Sequence, residues 1–131
     1  MTEPTLRETV LVVEDDEALR RLIEQALMFD GFRVLTASNG AEALRLLNQT
    51  TPALIVLDLV MPWVNGIEVL STMRAIPRLH ALPVVVVTGS ATTSRDLETY
   101  GPLTILRKPL NVDALAPTVQ LLLSRYAAGG A

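Results

Sequence analysis

The chain has 131 residues, no cysteine and a formal charge of −3; half of its residues are apolar and 19% are charged. That length favours one domain with a core that needs no staples, and the composition excludes a disordered chain. Without cysteine there are no disulfides, no thiolate catalysis and no cysteine-ligated zinc. The acidic balance argues against non-specific nucleic-acid binding. Met1 to Thr9 is polar, and no apolar stretch reaches the ~18 residues of a membrane span. A cytoplasmic protein that engages neither nucleic acid nor membrane is expected.

Five short apolar runs punctuate the chain: Val10 to Val13, Arg33 to Ala37, Ala53 to Leu57, Pro83 to Val87 and Leu103 to Leu106. Valine and isoleucine dominate them, which suits strands. The first, third and fourth are nearly continuous, the pattern of parallel strands covered on both faces.

Helical patterns fill the gaps. Ala18, Leu19, Leu22, Ile23, Ala26 and Leu27 recur at helical spacing between Glu17 and Phe29, and Gly31 fits the stop. Asn39 suits the cap of a helix carrying Ala43, Leu44, Leu46 and Leu47. A third helix runs from Gly66 to Ile76, ended by Pro77. The stretch from Ala91 to Pro102 holds at most two turns, because Thr92, Thr93 and Ser94 are poor helix formers and Gly101-Pro102 closes it. Asn111 is placed to cap the last helix. Pro117 lies too deep in that pattern to be tolerated, so a kink is expected there, or a short turn followed by a helix from near Ala116.

Strand and helix thus alternate five times, which predicts an α/β fold with a parallel sheet. Residues 8–126 form the expected domain, with an N-terminal extension over residues 1–7 and a flexible tail over residues 127–131. No repeat, linker or second domain is read.

The chemistry lies at the strand ends. Glu14 and Asp15 follow the first strand, Asp58 the third, Thr88 the fourth and Lys108 the fifth. In an open parallel sheet these ends point one way, and ligands bind outside them. Three clustered carboxylates repel unless a cation sits among them. Oxygen ligands without histidine or cysteine select a hard cation, Mg²⁺ before zinc or copper. A carboxylate nucleophile, a divalent cation, a lysine and a hydroxyl are the parts of phosphoryl transfer onto aspartate.

Four motifs in order, Val12-Val13-Glu14-Asp15-Asp16, Leu57-Asp58-Leu59-Val60-Met61-Pro62 with Gly66, Val86-Val87-Thr88-Gly89 and Arg107-Lys108-Pro109, make the chain resemble the receiver domains of bacterial two-component response regulators, over about residues 8 to 126. The resemblance implies a flavodoxin-like doubly wound five-stranded sheet, order 2-1-3-4-5, with helices on both faces and a fourth helix that is short or irregular here. It implies that Asp58 is phosphorylated from a partner's phosphohistidine. Asp15, Asp58 and the Val60 carbonyl would bind Mg²⁺, with Glu14 acting mainly through water. Thr88 would hydrogen-bond the phosphoryl group, Lys108 would neutralise it, and Gly89 would leave Thr88 room to move. The Lys108-Pro109 bond would be cis. The implied partners are a histidine kinase or phosphotransfer protein and a downstream protein target, with the chain a monomer or weak dimer.

Three positions depart from the family pattern. Ile105 stands where the family often carries an aromatic that reports phosphorylation. Thr88 to Lys108 is shorter than the family's usual spacing, and the shortfall falls on the fourth helix. Val60, which with Ser90 would tune dephosphorylation, cannot orient water, so a long-lived phosphoryl group is expected. His80, the sole histidine, precedes the fourth strand and reads as a surface residue, so the donor must be another molecule. Trp63, in the loop after Asp58, is expected to pack over that loop, ahead of the alternative that it contacts a partner. Three rivals stand beside this reading: an interaction module that works without phosphorylation, the receiver piece of a longer regulator, and a Mg²⁺ phosphatase, which the apolar Val60 disfavours.

Overall fold

The computed structural model describes residues 8–89, 91–93 and 95–130, with side chains through residue 126. Five strands form one parallel sheet: β1 (Thr9–Val13), β2 (Arg33–Ala37), β3 (Leu54–Asp58), β4 (Val84–Thr88) and β5 (Leu103–Arg107). Their order is β2-β1-β3-β4-β5. The chain steps outward from β1 to β2, then returns past β1 to build the other half. The crevice between β1 and β3 is therefore the point where the winding reverses, and ligands of such sheets bind there. The register fixes the edge of that crevice, with Val13 opposite Leu57 and Asp58 opposite Val87.

Four helices cover the two faces: α1 (Glu17–Phe29), α2 (Gly40–Gln49), α3 (Gly66–Arg74) and α4 (Leu115–Gly130). Alternate strand residues point to opposite sides. Leu11, Val13, Ile55, Leu57, Val84 and Val86 pack with Leu47, Val69, Leu70 and Met73 under α2 and α3. Val10, Val12, Leu54, Val56, Val85 and Val87 pack with Ile23, Leu27, Leu115, Val119 and Leu122 under α1 and α4. The three inner strands are buried along both faces, which is why they read as unbroken apolar runs. β2 and β5 are the open edges, only partly buried, with an exposed Arg33 opening one and an exposed Arg107 closing the other.

Local signals act where the sequence puts them. Asn39 Oδ1 accepts from Glu42 N at 2.8 Å and caps α2. Gly31, at φ +98°, ends α1 in the left-handed region that suits glycine. Asn111 caps a 3₁₀ turn, Val112–Ala114, and α4 begins after it at Leu115. Pro117 therefore falls in the first turn of α4, where its missing N–H costs nothing. The helical backbone continues to Gly130, into the segment expected as a tail, because Ala127 and Ala128 favour helix. The extension over residues 1–7 lies outside the described residues.

Between β4 and β5 the described residues hold only a 3₁₀ turn, Glu98–Tyr100, so the short or irregular fourth helix of the expectation is reduced to one turn. Leu97 is buried and anchors it. Arg74, the last residue of α3, takes over the fixing of this connection. Its guanidinium donates to the carbonyls of Leu79 at 3.2 Å, His80 at 3.0 Å, Leu82 at 2.8 Å and Pro102 at 3.4 Å, and also to that of Tyr100. Burial lowers the Arg74 pKa. Gly101, at φ +85°, leaves room for it: a Cβ there would lie 2.7 Å from Arg74 Nε. Arg74→Met is expected to lower stability by about 1–3 kcal/mol, since four part-buried carbonyls and an exposed one lose a charged donor. Urea unfolding checks this, and a loss too small to resolve would mean that water replaces the guanidinium.

Candidate functional site

The carboxyl ends of β1, β3 and β5 bring together Glu14, Asp15, Asp58 and Lys108, and Thr88 ends the neighbouring β4. Glu14 and Asp58 are buried, at 1% and 3% exposure, while Asp15 is exposed. One carboxylate oxygen from each of Glu14, Asp15 and Asp58 lies within 4.8 Å of the others. Lys108 Nζ donates to Asp58 Oδ2 at 3.2 Å and lies 3.3 Å from Glu14 Oε1. That second contact is an ion pair only, because Glu14 Oε1 is buried without a hydrogen-bond partner. Asp58 Oδ1 accepts from Val60 N at 3.1 Å.

Backbone geometry holds these groups in place. Asp16 Oδ1 accepts from Leu19 N and caps α1, while Asp16 N donates to Glu14 Oε2 at 3.2 Å. Arg20 reaches back from α1 to donate to the Glu14 carbonyl at 3.0 Å. Lys108 N donates to the Thr88 carbonyl at 3.0 Å, so the lysine and the buried Thr88 are joined through the backbone. The Lys108-Pro109 bond is cis. A Cβ at Gly89 would meet Lys108 Cβ at 3.7 Å, an ordinary van der Waals contact without a clash. Gly66 is different: a Cβ there would fall 2.5 Å from the Asp58 carbonyl oxygen, and α3 starts hard against the end of β3 for that reason. Val60 is 66% exposed and lines the pocket with Glu14, Asp15, Asp16, Asp58, Gly89 and Lys108.

Ile105 does not join the site. It lies within β5 opposite Val86, half-buried against the α2 and α3 side of the core. His80 is exposed beyond the opposite ends of the strands. Ser90 lies outside the described residues. Trp63 contradicts its expectation. It is 85% exposed rather than packed over the loop, with φ at +62°. Met61 points inward and Val64 presses on Gly40, so the backbone between them turns Trp63 out. A left-handed φ on a bulky residue costs about 1–3 kcal/mol and marks ligand clamps and switches more often than cores. The sequence carried no sign of the Arg20 contact or of the loop's turn.

The electrostatics follow from burial. Loss of solvent pushes the Glu14 carboxyl up to about 7, helped by repulsion from Asp58 and opposed by the Asp16 N–H and the Lys108 ammonium. Burial would lower the Lys108 pKa, but Asp58 and Glu14 together outweigh it and raise it. The three carboxylates and the absence of any histidine or cysteine donor fit a hard divalent cation such as Mg²⁺.

A family model described as the response regulator receiver domain matches residues 10–120. The chain belongs to that family. The receiver is 34% identical over 131 residues to response regulator Rre1 of Synechocystis, covering 98% of this chain and 55% of Rre1. It is 33% identical over 118 residues to a probable transcriptional regulator, ycf29, of Porphyra purpurea, covering 88% of this chain and 56% of that one. The receiver spans about half the length of these regulators. Against sporulation initiation phosphotransferase F of Bacillus subtilis it is 27% identical and covers 88% of its own length and 93% of the other. Among solved structures, a Francisella response regulator receiver domain superposes with a TM-score of 0.81 at 30% identity, covering 92% of this chain and 99% of the other. Vibrio cholerae chemotaxis response regulator CheY4 superposes with a TM-score of 0.82 at 26% identity, covering 88% and 98%. Among the described residues no helix is long and apolar enough to cross a membrane.

The raised Glu14 pKa gives a pH dependence of defined sign. Between pH 4.5 and about 7 the folded protein holds a proton on Glu14 that the unfolded chain has released. Stability therefore falls as the pH rises through that window. Denaturant unfolding of the metal-free protein against Glu14→Gln checks it: the difference between the two should change with pH only between about 4.5 and 7, and a constant difference would show that burial does not hold the proton.

Proposed function

We propose that this receiver is a phosphoacceptor switch. Asp58 takes a phosphoryl group from a partner's phosphohistidine, and the added charge alters a protein-interaction surface. The observation that carries this reading is the single Lys108 ammonium held between two buried carboxylates, 3.2 Å from Asp58 and 3.3 Å from Glu14, at the reversal point of the sheet. A buried carboxylate beside a fixed ammonium and an open pocket is placed to attack, not to pack.

In the step proposed, an Asp58 carboxylate oxygen attacks phosphorus. The bond from phosphorus to the histidine nitrogen breaks, and its electron pair leaves on the imidazole, which takes up a proton. Glu14, Asp15 and Asp58, with the Val60 carbonyl, are the groups that would hold Mg²⁺, which supplies neutralising charge to the phosphoryl oxygens. Lys108 exchanges one of its carboxylate partners for the new phosphoryl oxygens. The buried Thr88 hydroxyl donates to the group once its side chain moves inward, and Gly89 lets the following backbone follow. The switch is then a two-state element biased by one added charge. Residues 8–126 are the proposed domain, acting in the cytoplasm with a histidine kinase or phosphotransfer protein upstream and a protein target downstream. Beyond its own phosphorylation and dephosphorylation no catalysis is assigned to it.

The test is intact mass after treatment with acetyl phosphate and Mg²⁺. The wild type should gain one phosphoryl group, and Asp58→Asn or removal of Mg²⁺ should abolish the gain. A wild type that stays unlabelled would instead favour an interaction module that works without phosphorylation.

The apolar Val60 bears on lifetime. An exposed side chain at the pocket edge that cannot hydrogen-bond leaves the attacking water unoriented. Once loaded, the protein should hold its phosphoryl group for minutes or longer, and Val60→Asn should shorten the half-life about tenfold. Decay followed by mass spectrometry decides it: a half-life of seconds that the substitution leaves alone would remove Val60 from the account.

A further inference from the structure

The mouth of the pocket is asymmetric. On the β1 side stand Asp15, Asp16 and Glu17, all exposed and acidic. On the β3 side Val60 lines the pocket, and the loop runs on from it through exposed Pro62 and Trp63, the last 85% exposed. This apolar edge is rigid. Val60 N is held by Asp58 Oδ1, Met61 is buried, Val64 lies against Gly40, and Gly66 N donates to the Leu59 carbonyl at 2.9 Å. Trp63 contributes little to the core, yet the loop holds it outward at φ +62°.

We propose that Trp63, with Val60 and Pro62, is the apolar anchor on which the phosphoryl-donating protein seats itself. The inference rests on the phosphoacceptor reading above. Asp58 lies at the floor of the pocket, 3% exposed, so a protein that brings a phosphohistidine to it must cover the rim. The donor is another molecule, since the chain's one histidine, His80, precedes β4 at the far end of the sheet. The two sides of the mouth then define the partner: an apolar socket for the indole, flanked across the phosphohistidine by basic side chains that meet the exposed Asp16 and Glu17. A tryptophan already fixed in its exposed position loses little freedom on docking, and buried aromatic anchors of this kind carry a large share of binding energy. A small phosphodonor fits within the pocket that Val60 lines and has no need of Trp63, which is not part of that lining.

Trp63→Gly is the suitable variant, because glycine accepts the positive φ and leaves the loop unstrained. Phosphorylation is measured with acetyl phosphate and with a panel of autophosphorylated histidine kinase cores, taking the fastest donor. The expected result is about a tenfold fall in kcat/KM for that protein donor, carried by KM, with the acetyl phosphate rate unchanged. Transfer unchanged in Trp63→Gly, or an equal loss with both donors, overturns the inference. So does a dimer that beryllofluoride induces in the wild type and Trp63→Gly abolishes, since the edge would then belong to a second copy. A wild type that acetyl phosphate fails to label removes the phosphoacceptor reading and this inference with it. A result confined to the protein donor bears on Trp63 alone.

Discussion

The site depends on one ammonium shared by two buried carboxylates. Glu14 and Asp58 come from different strands, β1 and β3, and sit where the winding of the sheet reverses. Left to themselves, two such charges at close range would not both ionise in a dry site. Lys108 comes from the end of β5, two strands beyond β3, and reaches both. Its backbone N–H donates to the Thr88 carbonyl at 3.0 Å, which ties the lysine to the end of β4. The compromise is incomplete, because one Glu14 oxygen remains without a hydrogen bond. An unsatisfied acceptor beside an exposed Asp15 leaves electrostatic demand at the pocket that a cation would meet.

Scaffold and site answer different requirements of the same strands. The inner strands are apolar on both faces as far as their last residue, and the polar chemistry begins within one residue of that limit. Val13 gives way to Glu14, Leu57 to Asp58 and Val87 to Thr88. The side chains that would react are thus held by backbone that is itself buried in register on both sides. A shift of one residue in any strand would turn its apolar set around and displace its polar end, so the packing of the core and the placement of the chemistry are specified together.

How much of this was legible in the sequence depended on range. Asn39, Gly31 and Asn111 act through bonds to backbone two to four residues away, and their roles could be read from local pattern. Pro117 was readable as a conflict, and the structure resolves it by starting α4 late. The convergence of Glu14, Asp15, Asp58, Thr88 and Lys108 was readable because a parallel sheet leaves little choice about where strand ends go. What escaped were contacts decided by shape. Arg74 looks from the sequence like any basic residue ending a helix. Only the meeting of two loops around it makes it a clasp on five carbonyls. Trp63 was misread because its direction depends on Met61 and Val64 pointing inward, which no local pattern records.

The two open edges of the sheet carry a consequence for behaviour in crowded solution. A parallel sheet five strands wide exposes unpaired amide and carbonyl groups along β2 and β5, a template on which another chain could add a strand. Both edges carry an exposed arginine at one end, Arg33 where β2 starts and Arg107 where β5 stops. Arg107 also donates to the Thr92 carbonyl, so a loop is drawn in beside the β5 edge. A foreign strand would have to bury a guanidinium at either flank and would also displace that loop on the β5 side. Removing the charge at Arg33, at the far end of β2 from the pocket, would favour edge-to-edge aggregation, a colloidal role for a residue at the margin of the sheet.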